Sequence, residues 1–126
     1  MVNKIKLYVD VDETLVFWEN PYSPYTGEYT TNDELVRSIR KVLDDDMYEV
    51  IIWSGGGKAW AEKISKLLFP DDQLECFDKF THWEEELPEG HLAIDNRQQD
   101  EREYLKKFRK VFSPNGFSST ALFLSR

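Results

Sequence analysis

The stretch Leu7-Tyr8-Val9-Asp10-Val11-Asp12-Glu13-Thr14-Leu15 constrains this chain more than any other. Apolar residues at positions 5, 7, 9 and 11 alternate with polar ones, which is the period of a half-buried strand. Two carboxylates, Asp10 and Asp12, follow two residues apart where the apolar run ends. In an extended chain i and i+2 point to one side. Carboxylates held together repel unless a cation lies between them or one traps a proton. A hard divalent ion with a preference for oxygen, such as Mg²⁺, is the economical answer. The opening of the chain is therefore a candidate active site.

Further along, an aromatic, Pro-containing connection at 18–30 carries Trp18, Tyr22, Tyr25 and Tyr29. It is longer than a typical connection, and long loops beside a site are often functional; its rings either pack together or stack on a ligand. Thr31-Asn32-Asp33-Glu34 fits a capping box, and Leu35, Ile39, Val42 and Leu43 keep helical spacing, so 33–43 is a predicted amphipathic helix. The apolar run 50–53 is a predicted buried strand, stopped by Ser54-Gly55-Gly56-Gly57. A second helix is expected over 58–69, halted by Pro70. A short strand is expected within 74–80, an acidic loop at 81–90, a buried strand at 91–94 ending on Asp95-Asn96, and a charged surface helix at 97–110. From Val111 the chain is expected to add a last short strand and then a peripheral tail at 115–126. Strands alternating with helices imply an α/β fold, a three-layer Rossmann-like parallel sheet with helices on both faces. In such folds the functional crevice lies beyond the carboxyl ends of the strands. Asp10 and Asp12, Ser54, and Asp95 with Asn96 each end a different predicted strand, and their convergence is the central expectation.

Bulk properties set limits on function. A length of 126 residues suits one domain, 1–126, able to bury roughly two-thirds of its unfolded surface. A net charge of −8, from 16 basic and 24 acidic residues, disfavours long nucleic acid as a partner and suits a site that recruits a cation. The single cysteine, Cys76, excludes an internal disulfide and a Cys-rich zinc site. Met1 leads into a mixed strand rather than a signal peptide, and no apolar run is long enough for a membrane span, so the expected location is cytoplasmic.

Asp10-Val11-Asp12-Glu13-Thr14-Leu15, then Ile51-Ile52-Trp53-Ser54-Gly55, Lys79, and Ala93-Ile94-Asp95-Asn96 resemble the four ordered motifs of the haloacid dehalogenase superfamily of phosphatases, over about residues 5–100. The resemblance implies a phosphomonoester hydrolase. Asp10 would be the nucleophile that forms an aspartyl-phosphate, and Asp12 the general acid and base. Ser54, Gly55, Gly56 and Lys79 would bind the phosphoryl group, with Lys79 also neutralising charge. Mg²⁺ would be held among Asp10, Asp12 (by its backbone carbonyl), Asp95 and Asn96. The fourth motif departs from the family, which commonly has paired acids there. This leaves Asp95, Asn96 and Asp100 as competing metal ligands. Lys58, beside the glycines, rivals Lys79 as the catalytic lysine.

Only about 18 residues separate Leu15 from the first helix, and about 25 separate Ser54 from Lys79, so neither gap can hold a folded cap. An open, capless site would take a small phosphorylated molecule or an exposed polymer end. The alternative is a catalytically silent relative that uses the same crevice to bind a phosphorylated or protein partner. Retention of both Asp10 and Asp12 speaks against it. His82 and His91 read as structural, and Trp53 and Trp60 as core. The sequence names neither the ester nor the oligomeric state.

Overall fold

A computed structural model describes residues 4–22, 25, 27–85 and 91–124. Five parallel strands form the main sheet: β1 (Ile5–Asp10), β4 (Tyr48–Ser54), β5 (Glu75–Asp78), β6 (Leu92–Ile94) and β7 (Lys110–Phe112), in the order β5-β4-β1-β6-β7. Helices α1 (Asp33–Leu43), α2 (Lys58–Leu68), α3 (Lys79–Glu85), α4 (Glu103–Lys106) and α5 (Ser119–Leu124) flank it. A two-stranded antiparallel hairpin, β2 (Val16–Trp18) and β3 (Tyr29–Thr31), stands apart from the sheet. The fold class is α/β, as expected.

Alternation along β1 divides its side chains between two apolar clusters. Leu7 and Val9 pack with Leu35, Ile39, Ala61 and Ile64 of α1 and α2, whereas Tyr8 packs with Trp53, Ala93, Tyr104 and Leu105. A strand buried on both sides reads as a nearly continuous apolar run, and β4 (Val50, Ile51, Ile52, Trp53) does so. Helix α1 matches its predicted bounds, but its cap is Asn32, whose Oδ1 accepts from the Leu35 amide at 3.2 Å; the Thr31 hydroxyl bonds Asp33 instead. Gly57 precedes α2 at φ 107°, a conformation that favours glycine.

Three segments depart from expectation. The acidic stretch predicted as a loop from residue 81 belongs to α3, which starts at Lys79 because Asp78 Oδ1 accepts from the Phe80 and Thr81 amides at 3.0 and 3.3 Å; its residues 86–90 lie outside the described residues. The helix predicted over 97–110 shrinks to α4, preceded by turns, and its end becomes strand β7 beside β6. The tail forms α5, and Phe117 and Leu122 are buried in the same cluster as α1. Of the aromatic connection at 18–30, residues 23, 24 and 26 lie outside the described residues; Trp18 ends β2, and Tyr29 and Thr30 belong to β3. Among the described residues no helix is long and apolar enough to cross a membrane.

Candidate active site

The sheet register assembles the site. Asp10 of β1 is paired with Trp53 of β4, Ser54 with Asp78 of β5, and Val9 with Ile94 of β6. Asp10 and Asp95 are therefore level at the carboxyl edge of the sheet, with Ser54 one residue and Lys79 two residues further along. The remote motifs meet because parallel strands in this register must end together.

Two groups of polar side chains result. In the first, Lys79 Nζ donates to Asp10 Oδ1 at 2.5 Å and to Asp95 Oδ2 at 3.0 Å. Thr14 Oγ1 donates to Asp10 Oδ2 at 2.9 Å, and the Arg97 amide donates to Asp95 Oδ1 at 2.9 Å. Asp10, Thr14, Lys79 and Asp95 are all buried. The ammonium also lies 4.8 Å from the Tyr104 ring centroid and 5.6 Å from that of Trp53, within cation–π range. Burial pushes the Asp10 carboxyl up to about 7, against the pull of Lys79 and with the help of Asp95. Burial works against the Lys79 charge, but Asp10 and Asp95 outweigh it and raise the ammonium above its ordinary value. Once Asp10 is ionised, two carboxylates on one ammonium leave a net negative charge in a dry place. A bound cation would offset that cost.

The Asn96 amide lies 3.1 Å from Asp95 Oδ1 and 3.2 Å from Asp10 Oδ2. Amide orientation is an assignment, and both orientations have a meaning here. With the nitrogen toward the carboxylates Asn96 donates to both; with the oxygen there, three oxygens converge. Carboxylate and amide oxygens are the ligands a hard divalent ion such as Mg²⁺ prefers, so the donor chemistry fits the ion; the same separations are those of N–H···O hydrogen bonds from the amide. The cluster is two carboxylates and an amide. Among the described residues no group of three or more His, Cys, Asp or Glu side chains is disposed to hold a metal. Asp100 lies exposed in the turn before α4 rather than in a helix, and Lys58 is exposed at the start of α2. Lys79, and not Lys58, is the lysine bonded to Asp10.

Asp12 centres the second group. It lies in the tight reversal that follows β1: the Leu15 and Val16 amides both bond the Val11 carbonyl, and Glu13 takes φ 62°. Asp12 Oδ2 accepts from Ser54 Oγ and from the Tyr25 hydroxyl, each at 2.8 Å. Asp12 Oδ1 accepts from the indoles of Trp18 and Trp60, each at 3.0 Å. Ser54 Oγ also accepts from the Gly56 amide at 2.9 Å. A Cβ on Gly56 would lie 2.5 Å from the Tyr25 hydroxyl, and one on Gly55 would lie 2.6 Å from the Phe80 ring, so the turn is closely covered by aromatic groups.

Asp10, Lys79, Asp95 and Asn96 thus fall in one group and Asp12, Ser54 and Gly56 in the other, while Gly55 bonds to neither. Sequence reasoning missed the partners of Asp12: Trp60 is no mere core residue, and Trp18 and Tyr25 do more than pack. The available signal was chemical. A buried indole N–H usually finds an acceptor, and these donors crowd around an acidic motif. Tyr104, which covers Lys79, carried no such signal. His82 stacks on Phe77 at 3.8 Å and His91 accepts from the Lys6 amide, both structural roles. No protein-family model, no curated protein and no solved structure matches this chain.

Proposed function

We propose that the chain is a Mg²⁺-dependent phosphomonoesterase of the haloacid dehalogenase type, a three-layer, capless member working through an aspartyl-phosphate on Asp10. The observation that carries this reading is the Asp10 carboxylate, buried at a strand end and joined to Lys79, Thr14 and the Asp95–Asn96 pair, with a second carboxylate, Asp12, two residues on. Thr14 and Lys79 each hold one oxygen of Asp10, which restricts the side chain to a single direction of attack. Asp10 would add to phosphorus as the ester P–O bond breaks, and Asp12 would give its proton to the departing oxygen. Water would then attack the aspartyl-phosphate, losing its proton to Asp12 and releasing inorganic phosphate and free Asp10. Lys79 would balance charge on the transferring group. The Ser54 hydroxyl would turn from Asp12 to a phosphoryl oxygen, and the Gly55–Gly56 turn would leave backbone N–H groups close by. Bound Mg²⁺ would offset the repulsion between Asp10 and an anionic phosphoryl group. The substrate class is a phosphorylated small molecule or an exposed polymer end; the charge of −8 disfavours long nucleic acid.

The test is phosphate release from p-nitrophenyl phosphate. Activity is expected with Mg²⁺ and not with EDTA, and Asp10→Asn should lower it at least 1000-fold, roughly the loss seen when a catalytic nucleophile is removed. Equal activity in Asp10→Asn rejects covalent catalysis by that residue. Tight binding of phosphate without turnover would instead favour the silent binding module.

A further inference from the structure

Asp12 has an unusual environment for a partly exposed carboxylate. Its two oxygens offer about four acceptor positions, and four side-chain donors from separate parts of the fold use them. The donors are not equivalent. Oδ1 faces two indole N–H groups, which can only donate, whereas Oδ2 faces two hydroxyls, which can turn, accept or withdraw. The indoles of Trp18 on β2 and Trp60 on α2 stack at 5.4 Å and 25°, and Tyr25 meets both edge-on at 5.3 and 5.7 Å. Tyr29 closes the cluster, 5.2 Å from Trp18 and 5.8 Å from Trp60. Trp18 is buried and Trp60 half-buried, so both rings are held by packing before their N–H groups are considered. Packing alone would be served by phenylalanine. The indoles add two fixed donors aimed at a single oxygen.

We propose that Trp18 and Trp60 are positioning residues for Asp12: their indoles anchor Oδ1 and leave Oδ2 as the oxygen that exchanges a proton with substrate. The proposal rests on the phosphatase reading and deepens it. Anchoring one oxygen keeps the other beside Ser54, where the phosphoryl group would bind. A proton cannot be accommodated on Oδ1 without displacing an indole N–H. On Oδ2 it needs only that a hydroxyl turn. The anchor therefore selects the oxygen as well as its direction.

Trp18→Phe and Trp60→Phe keep the rings and remove the N–H groups. Each is compared with wild type on two esters, p-nitrophenyl phosphate and an alkyl phosphate. Nitrophenolate leaves without a proton and an alkoxide does not, so only the alkyl ester needs a well-aimed donor. Because kcat/KM reports the steps through cleavage of the ester, later hydrolysis of the aspartyl-phosphate does not enter the comparison. General acid catalysis contributes about 100- to 10,000-fold, and partial loss of aim is expected to cost at least about tenfold in kcat/KM on the alkyl ester. The loss of kcat/KM on p-nitrophenyl phosphate should stay within about threefold. Equal losses on both esters, or none, overturn the proposal.

A second readout needs neither activity nor metal. Of the four tryptophan indole N–H resonances, those of Trp18 and Trp60 should shift and exchange faster in Asp12→Ala, while those of Trp53 and Trp83 stay in place. Failure of the first two to move overturns the proposal even if a Phe variant does not fold. Wild type that releases no phosphate from either ester overturns the phosphatase reading, and the catalytic role of the anchor with it. An active wild type with an unchanged ester ratio overturns the anchor alone.

Discussion

At the scale of single residues, Asp10 carries the tension in this site. A carboxyl group normally titrates near 3.8, but in the fold burial lifts Asp10 to about 7, although Lys79 pulls the other way. The metal-free folded protein therefore keeps this proton through a range in which the unfolded chain has lost it. Between about pH 4 and pH 7 the folded state binds more protons, so stability contributed by this group falls as pH rises and levels off above about 7. The slope approaches 1.4 kcal/mol per pH unit at its steepest, the limit for one proton. Asp10→Asn, which mimics the uncharged carboxyl, should lose that slope and should be more stable than wild type at pH 8. Urea unfolding of both proteins in EDTA from pH 5 to 8 measures the difference, which cancels the other titrating groups. Parallel curves would show that Asp10 is not strained by its ionisation. The catalysis proposed above would need the opposite state, the anion, so the proposed nucleophile is also a residue the bare fold holds at a cost. That pairing of strain and function is expected of a preorganised nucleophile.

At the scale of elements, legibility followed the strength of the local signal. Helices α1 and α2 were plain because long apolar periodicity coincided with end signals, Asn32 and Pro70 respectively. Helix α3 was lost to its acidity, yet the capping signal was present in Asp78, which holds two amides of the first turn. The span 97–110 misled because alternating charge is compatible with several conformations. Arg97 bonds Asp95 and Gln99 reaches the Phe108 carbonyl, tertiary choices that no local period encodes. Helix α5 is six residues long and could not persist alone. Its amide at Ala121 bonds Ser118 Oγ at 3.0 Å, and its one buried residue, Leu122, packs into the cluster that includes α1. Stability there comes from burial rather than propensity. Leu122→Ala should cost about 2–5 kcal/mol, the usual range for a core leucine, whereas Leu124→Ala should stay within about 0.5 kcal/mol because Leu124 is 76% exposed. Urea midpoints separate the two cases; equal, small effects would make α5 an appendage of the fold.

At the scale of the whole molecule, the meeting of Asp10, Ser54, Lys79 and Asp95 was legible because a parallel sheet places every strand's carboxyl end on one edge. What stayed hidden was the division of that edge into two groups, which depends on side-chain rotation and on a hairpin that the aromatic sequence did not announce. The division has a thermodynamic consequence. On the proposed reading, an ion held by Asp10, Asp95 and Asn96 would join the ends of β1 and β6, at a site that exists only in the folded state. Binding then stabilises the entire molecule by about 2.7 kcal/mol when the ion is present at 100 times its dissociation constant. For a chain of this length that corresponds to a rise of several degrees in Tm. Magnesium also screens the charge of −8, which stabilises any acidic protein without a specific site. The control is sodium chloride at matched ionic strength, and the decisive variant is Asp95→Asn, which removes one charge from the oxygen cluster. Wild type should show a magnesium increment well above the sodium one, and Asp95→Asn should show the two nearly equal, whatever its own starting Tm. Equal magnesium increments in the two proteins would place the ion elsewhere, and would leave the buried excess of negative charge around Lys79 without a partner.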